Sequence, residues 1–140
     1  MRKIHEISGR KKQLKLIICL DDKNGMMFNK RRQSKDIAVA EKVKEIIGNN
    51  LLHIHSYSSP IFPEAIICES FENVDGFAFI ENPDFIIPEK VQELYIFKWN
   101  RHYPSDKKFK MDMSDFILQN TEDFVGNSHE TITLEIYKKK

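Results

Sequence analysis

The chain has 140 residues, of which 41% are hydrophobic and 31% charged, and its formal net charge is +1. These values are typical of one folded domain with its own core, and they exclude a disordered or low-complexity chain. The longest unbroken apolar run, residues 16–20, is too short to cross a bilayer, and we expect no signal peptide because residues 1–13 contain no apolar stretch. The two cysteines, Cys19 and Cys68, form no CxxC motif and indicate reduced thiols, so we expect a cytoplasmic protein without membrane contact.

Charge is distributed unevenly along the chain. Residues 1–35 contain eleven Lys or Arg and three Asp or Glu, a net charge of +8, whereas residues 36–140 have a net charge of −7. We therefore predict a basic N-terminal extension over 1–13, followed by a single α/β domain over 14–140. Basic segments of this kind bind phosphates, nucleic acid or other anions, or serve only to keep the protein soluble.

The first half of the domain predicts a strand, a helix and a second strand. Residues 14–20 are apolar at nearly every position, which is typical of a central strand buried on both faces. Asp21 and Asp22 begin a turn, and a loop is expected over 26–33. Ser34 predicts the N-cap of an amphipathic helix that ends at Gly48 and whose apolar face contains Val39, Val43, Ile46 and Ile47.

The second half predicts further strands and one more helix. Strands are expected at 51–57, 77–80 and 94–99, and a short helix at 64–71. Residues 115–120 and 131–137 predict an antiparallel pair, because apolar and polar residues alternate strictly in the second of them. Together the elements predict a mostly parallel twisted sheet with an antiparallel C-terminal strand pair.

The order of these motifs resembles dihydrofolate reductase. Leu16 to Met26 is similar to the first strand and active-site loop of that family, Pro88 to Ile96 to a later strand, and Asn127 to Tyr137 to the terminal strand. Ser34-Lys35-Asp36 resembles the start of the helix where the family places its catalytic carboxylate. The resemblance implies the family's α/β fold, and it implies a catalytic role for Asp36 in NADPH-dependent reduction of a folate or pterin.

Other positions depart from the family's pattern. The family binds its nicotinamide cofactor on a Gly-Gly step after a strand, where this chain has Glu81, Asn82 and Pro83. The family's Thr that bonds the catalytic carboxylate aligns with Phe97. We therefore expect the fold without the reductase activity and without a cofactor. A minimal NADPH-dependent reductase that uses Asp36 as proton donor is the alternative hypothesis.

Two groups of residues predict a binding site for a small anionic or pterin-like molecule. The first precedes the predicted helix, where forked donors and the positive helix end both favour an anion; it comprises Lys30, Arg31, Arg32 and Gln33. The second offers rings that can stack on a flat ligand and comprises Trp99, Arg101, His102 and Tyr103. The alternatives are a solvated loop for the first group and a structural turn for the second.

Two further hypotheses concern nucleic acid and metal. RNA could contact the basic front end while Trp99 and Tyr103 stack on bases. His53 and His55 would share one face of a strand, but no cysteine accompanies them and we expect no metal site. Parts of the sequence are also similar to chains described as ribonuclease Z, whose His-x-His-x-Asp-His metal motif is only half present at 53–58.

Overall fold

The computed structural model describes residues 12–140, so most of the extension predicted at 1–13 lies outside the described residues. Within 12–140, no helix combines the length and apolarity needed to cross a membrane. The regular elements, in chain order, are β1 (Leu14–Leu20), β2 (Gly25–Phe28), β3 (Arg31–Arg32), α1 (Ile37–Ile47), β4 (Leu52–Ile54), β5 (Ile66–Ile67), β6 (Gly76–Phe79), β7 (Val91–Lys98), β8 (Lys107–Lys108), β9 (Phe116–Val125) and β10 (Thr131–Lys139). Short 3₁₀ turns lie at Ser56–Ser58, Pro83–Phe85 and Pro88–Lys90.

A seven-stranded sheet in the order β5-β4-β6-β1-β7-β10-β9 forms the centre of the domain. β1 pairs in parallel with β6 and β7, and β10 pairs antiparallel with β7 and β9. A small second sheet contains β3, β2 and β8. The predicted α/β architecture, mostly parallel with an antiparallel C-terminal pair, is confirmed.

The core lies on both faces of this sheet. Alternate residues of β1, such as Leu16 and Ile18, pack into one cluster, whereas Ile17 packs into the other. Val39 and Val43 of α1 are buried in the second cluster, so the predicted apolar face of the helix covers that side of the sheet. The long apolar run of β1 follows from this arrangement, because a strand covered on both faces has no wet side.

The helix begins differently from the prediction. Its N-cap is Asp36, whose extended backbone (φ −154°, ψ 131°) lets the side chain accept a hydrogen bond from the N–H of Ala38. The predicted N-cap at Ser34 is therefore wrong, and the hydroxyl of Ser34 bonds elsewhere. The end of the helix agrees with the prediction, since Gly48 adopts φ 58° and donates its N–H to the carbonyl of Lys44.

Three other local predictions are corrected. The loop expected over 26–33 is a hairpin of β2 and β3, turned by Asn29 (φ 51°) and Lys30 (φ 66°). The helix expected at 64–71 is absent; that segment contains the two-residue strand β5, which pairs in parallel with β4. The strand expected at 51–57 ends at Ile54, because residues 56–58 form a 3₁₀ turn.

Candidate functional site

A narrow cleft lies at the carboxyl ends of β1, β6 and β7, beside the first turn of α1. This is where open α/β sheets usually bind ligands. Its apolar wall consists of Met26, Val39, Phe62, Phe79 and Trp99. Its polar lining residues are Arg32, Gln33, Ser34, Lys35, Asp36 and Glu81. The cavity volume is about 30 Å³, room for roughly one or two water molecules, so any larger ligand must move side chains apart.

The carboxylate of Asp36 is enclosed by the loop before β10. Its Oδ1 accepts hydrogen bonds from the N–H groups of Ala38 (2.8 Å) and Asn127 (2.8 Å). Its Oδ2 accepts bonds from the N–H of Ser128 (2.8 Å) and from Nδ1 of His129 (2.9 Å), and it lies 3.2 Å from Oγ of Ser128. The Asp36 side chain is 0% exposed. Both of its oxygens are therefore occupied by the protein itself.

These contacts determine the protonation of Asp36. Burial alone would raise the pKa of this carboxyl, but the hydrogen bonds from His129, Asn127, Ser128 and Ala38 outweigh burial and lower the pKa well below its usual range. Asp36 is therefore a carboxylate at neutral pH and holds no proton to donate. This does not favour the predicted role of Asp36 as proton donor.

The ring of His129 connects Asp36 to two hydroxyl groups. Because ionised Asp36 can only accept, Nδ1 carries a proton, and Nε2 of the neutral ring is an acceptor. Nε2 lies 2.9 Å from Oη of Tyr103 and 3.2 Å from Oγ of Ser34. Trp99 stacks on the ring with a centroid distance of 4.5 Å and an interplanar angle of 20°. The imidazole is thus fixed in position by four side chains.

The free energy of unfolding of the domain should decrease at acidic pH because of Asp36 and Asp21. Burial would raise the pKa of Asp21, but hydrogen bonds from Gly25, Tyr103, Lys23 and Gln33 lower it, as the network around Asp36 lowers the pKa of that residue. A carboxyl with a lowered folded pKa contributes stability above its unfolded pKa of about 4, and the contribution is lost as the pH falls through the folded value. The free energy of unfolding measured with urea should therefore receive a constant contribution from these two groups near pH 6. It should decline as the pH falls below about 4. A free energy that stays level down to pH 3 would contradict the assignment.

The guanidinium of Arg32 is neutralised inside the protein. Its Nε lies 2.6 Å from Oε2 of Glu81 and its Nη2 lies 2.9 Å from Oε1. Ser58 donates its hydroxyl to the same carboxylate at 2.7 Å, and the ring of Tyr57 lies 4.4 Å from the guanidinium carbon. The forked donor group expected to bind an anion is therefore already paired with a carboxylate.

The other residues of the basic group have different environments. Lys30 and Arg31 are exposed on the β2–β3 hairpin. Gln33 donates Nε2–H groups to Oδ2 of Asp21 and to the carbonyl of Pro104, both at 3.1 Å. Both partners are acceptors, which fixes the amide orientation and leaves Oε1 buried without a partner. Oε1 of Gln33 is thus a buried acceptor that no described residue satisfies.

The second predicted group is divided by the structure. Trp99 and Tyr103 reach the imidazole network, but Trp99 is only 3% exposed and lies in the core. Arg101 is exposed, and its Nη2 lies 3.4 Å from the carbonyl of Ser128. The side chain of His102 is 62% exposed. Stacking of an RNA base on Trp99, one of the hypotheses from the sequence, is contradicted by this burial.

The histidines expected to be structural make separate contacts. Nδ1 of His53 lies 3.0 Å from the carbonyl oxygen of Phe77, and the ring of His55 stacks on Phe85 at 4.6 Å between centroids. Among residues 12–140, no three metal-ligating side chains lie close enough together to hold an ion.

Sequence reasoning missed the three residues that organise this site. Ser34 was interpreted as an N-cap, His129 only as part of the segment similar to the family's terminal strand, and Glu81 only as a departure from the family pattern. The one available signal was the Asn127-Ser128-His129 segment directly before the last strand, since polar residues at strand ends often line sites. Nothing local indicates that this segment meets Asp36.

Comparisons with known proteins support the fold. No protein-family model and no curated protein matches this chain. Among solved structures, the chain is similar to dihydrofolate reductase from Enterococcus faecalis complexed with NADP(H) and RAB-propyl, with a TM-score of 0.67 and 14% sequence identity. The match covers 91% of this chain and 96% of that chain. The expected resemblance is thereby confirmed at the level of architecture: the chain has the fold of dihydrofolate reductase.

Proposed function

We propose that this chain is a small-molecule-binding protein on the dihydrofolate reductase fold that does not carry out nicotinamide-dependent reduction. One observation carries the proposal: the carboxylate of Asp36 is bonded on both oxygens to the segment Asn127–His129 and to Ala38. A reductase of this fold needs that carboxylate to hold a pterin and support its protonation. Here neither oxygen is left for a ligand.

The residues present also do not fit the phosphates of a nicotinamide cofactor. The turn after β6 carries the carboxylate of Glu81, which occupies the guanidinium of Arg32, and Pro83, which has no N–H to donate. The N–H of Asp84 already donates to Oδ1 of Asn82 at 2.9 Å. Phe97, which aligns with the family's Thr, is fully buried and offers no hydroxyl. We therefore propose no reaction step that involves NADPH.

A small carboxylate with an apolar part is the ligand class that the cleft favours. Lys35 lies on the rim and has no ion-pair partner among residues 12–140, and the floor and walls are largely apolar. Lys30 and Arg31 add positive charge on the nearby hairpin.

The cofactor part of the proposal is tested by calorimetric titration of the full chain with NADPH and by an assay of NADPH oxidation with dihydrofolate. We expect no binding and no turnover. Micromolar binding of NADPH would overturn this part and support the alternative, a minimal reductase.

The ligand part is tested with butyrate, followed by tryptophan fluorescence, because the chain's single tryptophan lines the cleft. Lys35→Ala should weaken binding by about fivefold, since an exposed ion pair contributes up to about 1 kcal/mol. The matched control is Lys108→Ala, a change of another exposed lysine away from the cleft. Equal butyrate affinity in the Lys35 variant and in the unsubstituted chain would overturn the assignment.

A further inference from the structure

Three side chains of the site have the connectivity of a hydrolase triad. Oγ of Ser34 lies 3.2 Å from Nε2 of His129, and Nδ1 of the same ring lies 2.9 Å from Oδ2 of Asp36. Nucleophile, base and orienting carboxylate are all within hydrogen-bond reach, which is how such sites are recognised regardless of fold. We propose that Ser34 is the nucleophile of an acyl-transfer site that hydrolyses small carboxylic esters.

The environment of His129 suits a general base. Asp36, ionised and buried, holds the Nδ1–H tautomer and leaves the lone pair of Nε2 to accept a proton. The ring is almost fully buried, and Trp99 stacks on its face. A proton taken up at Nε2 lies on a ring that is held between the carboxylate of Asp36 and the indole face of Trp99. Asp36 is a positioning residue in this scheme.

Ser34 lies between the cleft and the imidazole. It lines the cleft and is half-buried, whereas His129 lies behind it and is not part of the cleft wall. A molecule in the cleft therefore meets the hydroxyl before it meets the base. The hydroxyl is not needed as an N-cap, because Asp36 caps α1.

Tyr103 competes with Ser34 for the base. Its Oη lies 2.9 Å from Nε2, closer than Oγ of Ser34, and a neutral ring offers one lone pair at this nitrogen. In the resting state the hydrogen bond from Tyr103 to Nε2 is therefore stronger than the one from Ser34. Oη of Tyr103 also lies 3.5 Å from Oγ of Ser34, so the two hydroxyl groups form one cluster around the nitrogen.

The proposed reaction balances without an oxidant, reductant or metal. Oγ of Ser34 attacks the ester carbonyl carbon, its proton passes to Nε2 of His129, and the C–O bond to the alcohol breaks as Nε2 returns the proton to the leaving alkoxide. Water then attacks the acyl-serine with the same base, which releases a carboxylic acid and restores Ser34.

The cleft indicates a short apolar acyl group. Its walls are apolar and its closed volume is below that of any acyl group, so a substrate must displace side chains, and a short acyl chain requires the smallest displacement. The carboxylate released lies beside Lys35, which agrees with the ligand class proposed above. The inference uses the same cleft as the proposed function, but the two are tested separately: reversible butyrate and NADPH binding test the first, and covalent labelling tests the second.

The test is labelling of the full chain with an alkyl fluorophosphonate, followed by intact-mass analysis and peptide mapping. Attack by Oγ on phosphorus displaces fluoride and leaves a stable adduct, so the label reports the activated hydroxyl directly. We expect one adduct on Ser34, its absence in Ser34→Ala, and a rate about 100-fold slower in His129→Gln because the general base is lost. The control Ser59→Ala, a change of another half-buried serine, should label at the unsubstituted rate.

A second variant keeps the test decisive if His129→Gln fails to fold. Tyr103→Phe removes the competing hydroxyl and leaves Ser34 as the only one at Nε2, so labelling should become faster; a purely structural network predicts no acceleration. Hydrolysis of p-nitrophenyl butyrate should fall by at least about 100-fold in Ser34→Ala. No adduct on Ser34, or a rate that neither His129→Gln nor Tyr103→Phe alters, would overturn the proposal.

Discussion

Asp36→Asn is expected to lower the free energy of unfolding by about 1 to 3 kcal/mol for each buried donor that loses its acceptor. The amide has nearly the same shape as the carboxylate, so the loss comes from hydrogen bonding and charge. One acceptor oxygen becomes an NH₂ group. In one amide orientation it faces the N–H of Ser128 and the Nδ1–H of His129; in the other it faces the N–H groups of Ala38 and Asn127. Donors that face donors in a buried site are left unsatisfied. Urea unfolding at pH 7, followed by fluorescence of Trp99, measures the effect.

The matched control is Asp22→Asn, at an exposed carboxylate in the neighbouring turn. It should change the free energy of unfolding by no more than about 0.5 kcal/mol. The difference between Asp36→Asn and the unsubstituted chain should also shrink as the pH falls below about 4, because protonation removes the charge that the variant lacks. A loss at pH 7 within about 1 kcal/mol of the control would mean that the network around Asp36 contributes little.

The central strands could be predicted because their signals are local and periodic. β1 is apolar at nearly every position since both of its faces are covered, and β10 alternates since only Ile132 and Leu134 of its first residues enter the core. The apolar face of α1 was equally clear from the spacing of Val39 and Val43. Periodicity reports burial directly, so it predicted the sheet and the helix that covers it.

Local errors arose where tertiary contacts decide the backbone. Lys30 adopts φ 66° in the β2–β3 hairpin, and no sequence rule assigns a positive φ to lysine. Ile66 and Ile67 are exposed in the edge strand β5, although an apolar pair within 64–71 favours a buried helix face. In these segments, pairing with a neighbouring strand outweighs local propensity.

The site was less predictable than the fold because its contacts are long in sequence. The sequence singled out Asp36 as a candidate site residue, but its partner His129 lies 93 residues away. Arg32 was predicted to bind an anion, whereas its carboxylate partner Glu81 lies 49 residues away in the chain. A cluster of cationic residues in the sequence indicates that an anionic partner is needed. It does not show whether that partner is a ligand or a carboxylate elsewhere in the chain.

The same long-range contacts change the role of the carboxylate at the start of α1. In this frame the carboxylate at the start of α1 would be expected to meet a ligand in the cleft. The loop before β10 instead closes over Asp36 and places His129 between it and Ser34. In the proposed scheme Asp36 therefore acts on a ligand through the imidazole of His129. It orients a base and does not itself donate a proton.

Gly126→Ala is expected to disturb this arrangement more than any other small change in the loop. A Cβ at Gly126 would lie 2.5 Å from the carbonyl oxygen of His129, 2.9 Å from Oδ2 of Asp36 and 3.0 Å from Cδ1 of Ile132. The first two atoms cannot retreat, because one is backbone and the other is held by the hydrogen-bond network. The loop must therefore move away from Asp36, at a cost of about 1 to 3 kcal/mol for overpacking.

The functional consequence of Gly126→Ala separates the site from general stability. Moving the loop displaces His129 from Ser34, so fluorophosphonate labelling should slow together with the loss in free energy of unfolding. Gly48→Ala is the matched control: its Cβ meets no atom within 4 Å, and its backbone (φ 58°, ψ −123°) is one that residues other than glycine rarely adopt, which costs about 1 to 3 kcal/mol at the opposite end of α1. This control should unfold more easily yet label Ser34 at the unsubstituted rate under native conditions. Slowed labelling in both variants would show that the reactivity follows global stability, whereas slowing in Gly126→Ala alone would locate it in the contact between the loop and Asp36.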